Sequence, residues 1–165
     1  MKSILIISGL MLTSALLLTA NINKEVFLGS SKQEKEVALK TAIEAPNYTF
    51  VANIAIPMRG SARNLTSTYD LRVTNDTIVA YLPFFGRAYT APISPEEAGI
   101  MFTSTKFTYT KKITKHEGWE ITIKTKDTKV KYELFLSISK NGYGTLTVQS
   151  VNRESISFSG TIRQP

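Results

Sequence analysis

From Tyr48 onward, apolar side chains recur at every second position. Tyr48, Phe50, Ala52, Ile54 and Ile56 make the first run, and Tyr69, Leu71 and Val73 repeat it. Thr77 to Leu82 follows, then Phe107 and Tyr109, then Trp119, Ile121 and Ile123. Tyr132, Leu134, Leu136 and Ile138 come next, then Leu146 and Val148, and finally Ile156, Phe158 and Ile162. Successive side chains of an extended strand point to opposite faces, so each run has one buried and one wet face. Asn75-Asp76 and Asn141-Gly142 carry the chemistry of tight hairpin turns. Short connections leave only antiparallel neighbours. The pattern predicts a mainly β chain, an antiparallel meander of about eight strands. Such a meander removes its exposed edges by closing into an up-and-down (lipocalin-like) barrel or by folding over into a sandwich.

One helix precedes the strands. Ser31 and Glu34 have the spacing of a capping box, in which hydroxyl and carboxylate satisfy orphan backbone donors. Val37, Leu39, Ala42 and Ile43 form an apolar stripe, and Pro46 ends the segment. Residues 31–165 therefore read as a single β-rich domain with an N-terminal helix, and residues 21–30 as a linker. Residues 1–20 read as a signal peptide. Met1 and Lys2 give a positive start, Ser3 to Ala20 is uncharged and rich in Ile and Leu, and Thr19 and Ala20 are small. The alternative for this stretch is an uncleaved membrane anchor. An exported chain, periplasmic or secreted, with no transmembrane segment after cleavage is the expectation.

The chain has no cysteine and one histidine, His116. Disulfides, thiolate metal sites, serine–histidine triads and multi-histidine zinc sites therefore lack their parts. No pair of carboxylates flanks an evident cleft, and no glycine-rich loop opens a helix toward a phosphate. No catalytic residue, metal or cofactor is expected. Asp70, inside a strand, is the one acid singled out, with a salt bridge to Arg72 or another arginine as its structural role. The net charge is +7, and Lys106 to Lys140 holds nine lysines against four acids. Lysines such as Lys124 and Lys126 alternate with other residues as on solvated strand faces and guarded edges, so no nucleic-acid partner is expected.

Two stretches break the alternation. Pro57 to Thr68 and Pro83 to Gly99 hold most of the prolines, together with Gly60, Gly86 and Gly99. Loops held on a rigid scaffold are where function concentrates. Arg59, Arg63 and Arg87 lie there with Tyr81, Phe84, Phe85 and Tyr89. Guanidinium forks beside aromatic rings suit a carboxylate, a phosphate or a stacked planar group. They equally suit a structural plug, with arginines paired to acids and rings closing one end of the barrel. In a meander, the ends of the strands finishing at Ile56 and Leu82 fall at the same edge, so the three arginines are expected together.

Those loops also carry a resemblance. Pro57-Met58-Arg59-Gly60-Ser61, Arg63-Asn64-Leu65 and Tyr69-Asp70-Leu71-Arg72-Val73 resemble segments of a family of small exported bacterial proteins, domain-of-unknown-function family 4251. Tyr81 through Tyr89, Phe102-Thr103-Ser104 and the closing stretch from Leu136 to Gly160 do likewise. The resemblance runs from Asn47 to Ile162. It implies a single exported domain, lipid-anchored in some members, and this chain lacks the cysteine that such an anchor needs. It assigns no functional residue. The resulting expectation is a non-enzymatic β-barrel-like module that binds a small ligand or an envelope partner through the arginine and aromatic loops. The alternative is a structural or assembly factor of the envelope acting through its basic strand face, and an enzyme stands behind both.

Overall fold

A computed structural model describes residues 33–89, 98–115 and 117–164. The expected signal peptide and linker, together with Ser31, His116 and part of the second irregular loop, lie outside the described residues. By internal contacts the chain divides into Met1–Val37 and Ala38–Pro165. In the first unit residues 33–37 are described, and they are helical. In the second, residues 38–44 are helical and bury Leu39 and Ile43. A turn at 45–46 ends the helix at Pro46.

Among the described residues nine strands follow: β1 (Tyr48–Pro57), β2 (Arg63–Val73), β3 (Ile78–Leu82), β4 (Ile100–Ser104), β5 (Phe107–Ile113), β6 (Trp119–Thr125), β7 (Tyr132–Ile138), β8 (Tyr143–Ser150) and β9 (Arg153–Arg163). All pairs are antiparallel, in the order β4-β3-β2-β1-β9-β8-β7-β6-β5. The sheet is a nearly closed barrel, which decides between barrel and sandwich. The expected meander of about eight strands is found as nine described strands, with β4 the addition. Ile100-Met101-Phe102 is a continuous apolar run without a period of two, so β4 gave no alternation to read. β2 also starts at Arg63 rather than Tyr69, which takes Arg63 out of a loop and into a strand.

Every neighbouring pair is consecutive in sequence except β1–β9, where Phe50 faces Ile162 and Ala55 faces Phe158. The two ends of the order, β4 and β5, are joined by Thr105 and Lys106 alone. The segment 100–113 is thus one bent strand that bonds β3 with its first half and β6 with its second. Asp127, between β6 and β7, holds the bend. It accepts from Ser104 Oγ at 2.5 Å, from the Thr105 and Lys106 amides at 2.8 and 3.0 Å, and from Thr105 Oγ1 at 3.1 Å. These bonds favour the ionised form, the Ser104 hydroxyl first, and hold the Asp127 carboxyl well below the usual carboxylate range.

Alternation delivers the core as its period requires. Trp119, Ile121, Ile123, Leu134, Leu136, Ile138, Leu146, Val148, Ile156 and Phe158 are all buried in one cluster with Phe50, Leu71, Ile78 and Leu82. Their neighbours Glu120, Lys124, Ser137 and Thr145 face water. Phe50 lies across the facing pair Gly144 and Gly160, where any Cβ would crowd its ring. The Asn141-Gly142 turn forms as the sequence predicts, with Gly142 at φ 81°. Among the described residues the inward-facing side chains form one buried cluster, and the exposed groups lie at the ends and on the outer faces.

Candidate binding end of the barrel

Antiparallel order brings three connections to one end. β1 leaves at Pro57, β3 leaves at Leu82, and β9 begins beside β1, with Pro57 facing Ile156. The segments after β1 and β3 therefore meet the β8–β9 turn. Residues 87–89 lie along 152–154 as a short antiparallel strip. Glu154 N donates to Arg87 O at 3.0 Å, Tyr89 N donates to Asn152 O at 2.8 Å, and Ala88 bridges Arg153.

Glu154 is the hub of this end. Its side chain is only 5% exposed, yet one oxygen lies 3.4 Å from Nε of Arg59, which is 79% exposed. The other oxygen accepts from the Arg87 amide at 3.1 Å. Gly86 permits this approach, since a Cβ there would meet the Phe84 ring at 3.1 Å and the Glu154 carboxylate at 3.5 Å. Arg63 places its guanidinium over the Phe85 ring, 4.7 Å from the centroid. Arg153, itself buried, does the same over Phe84 at 4.8 Å and donates to Gly99 O at 2.7 Å. Such contacts contribute about 0.5–1 kcal/mol when exposed and about 2 when desolvated, so the Arg153–Phe84 contact is the stronger.

Of the seven residues singled out from the sequence, six gather here. Arg59 and the Arg87 main chain meet on Glu154, Arg63 stacks on Phe85, Phe84 sits under Arg153, and Tyr89 is tied to Asn152. Tyr81 is apart: its ring stacks on Tyr69, with centroids 5.6 Å apart. Phe84 and Phe85 are half-buried and pack against the core. The guanidinium groups of Arg63 and Arg87 face no carboxylate among the described residues, while Met58, Tyr89 and Val151 expose apolar surface nearby in sequence or contact. Asp70 pairs with Arg72, at 3.2 Å from Nε, and not with the loop arginines. Its second oxygen is buried without a hydrogen-bond partner among the described residues.

Sequence reasoning missed Arg153 and Glu154. The available signal was two adjacent charges opening a strand that otherwise alternates Ile156 and Phe158 with serines. Other perturbed groups serve structure. Burial raises the hydroxyls of Tyr48 and Tyr109, which share a hydrogen bond at 3.3 Å inside the barrel. Asp76 is lowered by the hydroxyl of Thr74 in its own turn. Among the described residues, no group of three His, Cys, Asp or Glu could hold a metal ion, and no helix is long and apolar enough to cross a membrane. Lys124 pairs with Glu133 at 2.9 Å and Lys140 with Glu117 at 3.3 Å on the outer surface.

Comparison with known proteins adds the following. The model of a family described as a domain of unknown function, DUF4251, matches residues 30–162. A crystal structure of a DUF4251 family protein from Bacteroides eggerthii is similar in fold, with a TM-score of 0.59 at 14% identity over 79% of this chain and 87% of that one. No curated protein matches.

Proposed function

Taking as premise that the chain belongs to the DUF4251 family, a domain of unknown function, we propose that it is an exported, non-enzymatic binding module. Its arginine and aromatic end holds an anionic group, a carboxylate above all, of a small ligand or an envelope partner. One observation carries this reading. A single buried carboxylate fixes both irregular segments, through Arg59 and the Arg87 amide, while the Arg63 and Arg87 guanidinium groups face no acid among the described residues. Those groups hold donors in a fork suited to a bidentate anion. Exposed Met58, Tyr89 and Val151 add the Met, aromatic and apolar surface that enriches interface cores.

A titration with citrate, followed by the arginine Nε–H resonances, tests the reading. Shifts at Arg63 and Arg87 are expected, lost in the Arg63→Ala/Arg87→Ala double variant while the unfolding free energy falls by no more than about 1 kcal/mol, the contribution of the exposed Arg63–Phe85 contact. No shift in the wild type, or a double variant that loses clear stability, assigns the arginines to structure instead. Export rests on residues 1–20, and a native mass lacking them supports it, whereas a full-length mass in the membrane fraction makes the segment an anchor.

A further inference from the structure

Strand β5 stands last in the sheet order, so among the described strands only one of its two edges is bonded. The register says which backbone groups that bonded edge uses. Lys106 O accepts from Lys126 N at 2.8 Å, and Thr114 N donates to Gly118 O at 2.9 Å. Both bonds lie on the diagonal that continues through Thr108↔Lys124, Thr110↔Thr122 and Lys112↔Glu120. Bonded and non-bonded pairs alternate along an antiparallel ladder. Thr108, Thr110 and Lys112 therefore turn their N–H and C=O toward β6. Phe107, Tyr109, Lys111 and Ile113 turn theirs outward, to an edge that no described strand pairs.

The chemistry along this edge is one-sided. Lys106, Lys111, Lys112 and Lys115 occur between Ile100 and Lys115 with no acid among them. Lys111 and Lys112 are exposed, and Ile113 is 72% exposed. Edge lysines discourage pairing between copies of one chain, because a second copy would bring a further row of lysines to the same edge. The same charges favour an extended segment that carries acids.

We propose that β5 is a strand-addition site for an acidic, extended segment of a partner protein. The odd-numbered backbone groups bond the incoming strand, Lys112 meets its acidic side chains on one face, and Ile113 meets its apolar ones on the other. Main-chain bonds supply affinity and the alternate side chains supply selection in this mode of recognition. The site shares no residue with the arginine end, so the two readings stand or fall separately.

Amide hydrogen exchange on the full chain reads the proposal directly. The probe is an end-blocked heptapeptide alternating glutamate and valine, with lysine replacing glutamate in the control. Exchange at Phe107, Tyr109, Lys111 and Ile113 is expected to slow about tenfold or more with the acidic peptide, while Thr108, Thr110 and Lys112, protected already, change little. Lys111→Pro removes an outward donor and leaves the β6 ladder whole, since proline is tolerated where the edge N–H faces away from the sheet. That variant should stay folded and bind the acidic peptide at least about tenfold more weakly, a loss of about 1.4 kcal/mol. Lys111→Glu/Lys112→Glu should reverse the preference between the two peptides. Equal binding of both peptides to the wild type, no slowing at the odd-numbered amides, or unfolding by Lys111→Pro would each overturn the proposal.

Discussion

Glu154→Ala should destabilise the barrel far more than Arg59→Ala, although the two side chains face each other at 3.4 Å. The pair is asymmetric in burial: 5% of the Glu154 side chain is exposed against 79% of Arg59. Removing Arg59 takes away a screened charge and leaves Glu154 still bonded to the Arg87 amide at 3.1 Å. Exposed ion pairs contribute about 0–1 kcal/mol, and Arg59→Ala should cost no more. Removing Glu154 deletes the acceptor of the Arg87 amide, and hydrogen bonds to charged groups contribute about 1.5–3 kcal/mol. It also strips one buried methylene group, at about 0.8 kcal/mol. Relief of the carboxylate's desolvation offsets part of that sum. The expected loss is about 2–3 kcal/mol. Urea unfolding can be followed by the emission of the single tryptophan, Trp119, which lies in the core. Linear extrapolation at unchanged slope then gives the difference. Equal losses in the two variants, within about 0.5 kcal/mol, would refute the argument that burial rather than pairing sets the energetics of this end.

Three further outcomes are expected. The Asp127 carboxyl is held below its usual value of 3.8 by the Ser104 hydroxyl and the Thr105 and Lys106 amides. A depressed folded-state pKa stabilises above the unfolded value and loses that contribution as the pH falls through the folded one. Melting curves at pH 7 and pH 3 should therefore show a smaller acid-induced loss in Asp127→Asn than in the wild type, and an identical loss would contradict the clamp. Leu134→Ala empties a fully buried site and should cost about 2–5 kcal/mol in urea unfolding, whereas Thr145→Ala on the wet face should stay within about 0.5. Gly160→Ala sets a Cβ against the Val51 carbonyl oxygen of the paired strand. Circular dichroism should show a strongly lowered melting point for it, and a wild-type melt would mean that β1 and β9 can part there.

Much of the barrel was legible in single residues because strand facing and hairpin chemistry are local. The alternation of Leu134, Leu136 and Ile138 needs only its own neighbours to declare a buried face, and Asn141-Gly142 needs only its own φ preferences to turn the chain. The meeting of Arg59 with the Arg87 segment was legible too, because reversal at each strand puts the ends of β1 and β3 at one edge. β4 was not, since three successive apolar residues define no face until β3 pairs with them. Nor was the pairing of β1 with β9, which follows from closing the meander rather than from either strand. Glu154 shows the difference most plainly. In the sequence it is one charge in a turn-to-strand junction with nothing to mark it as buried. Only the closure that lays residues 152–154 against 87–89 takes its carboxylate out of water, and a carboxylate so placed must gather donors from whatever segments reach it. Local pattern thus determined which faces were wet and where the chain turned. The tertiary structure alone decided which distant residues share a site, because burial and long-range register are properties of the assembled sheet.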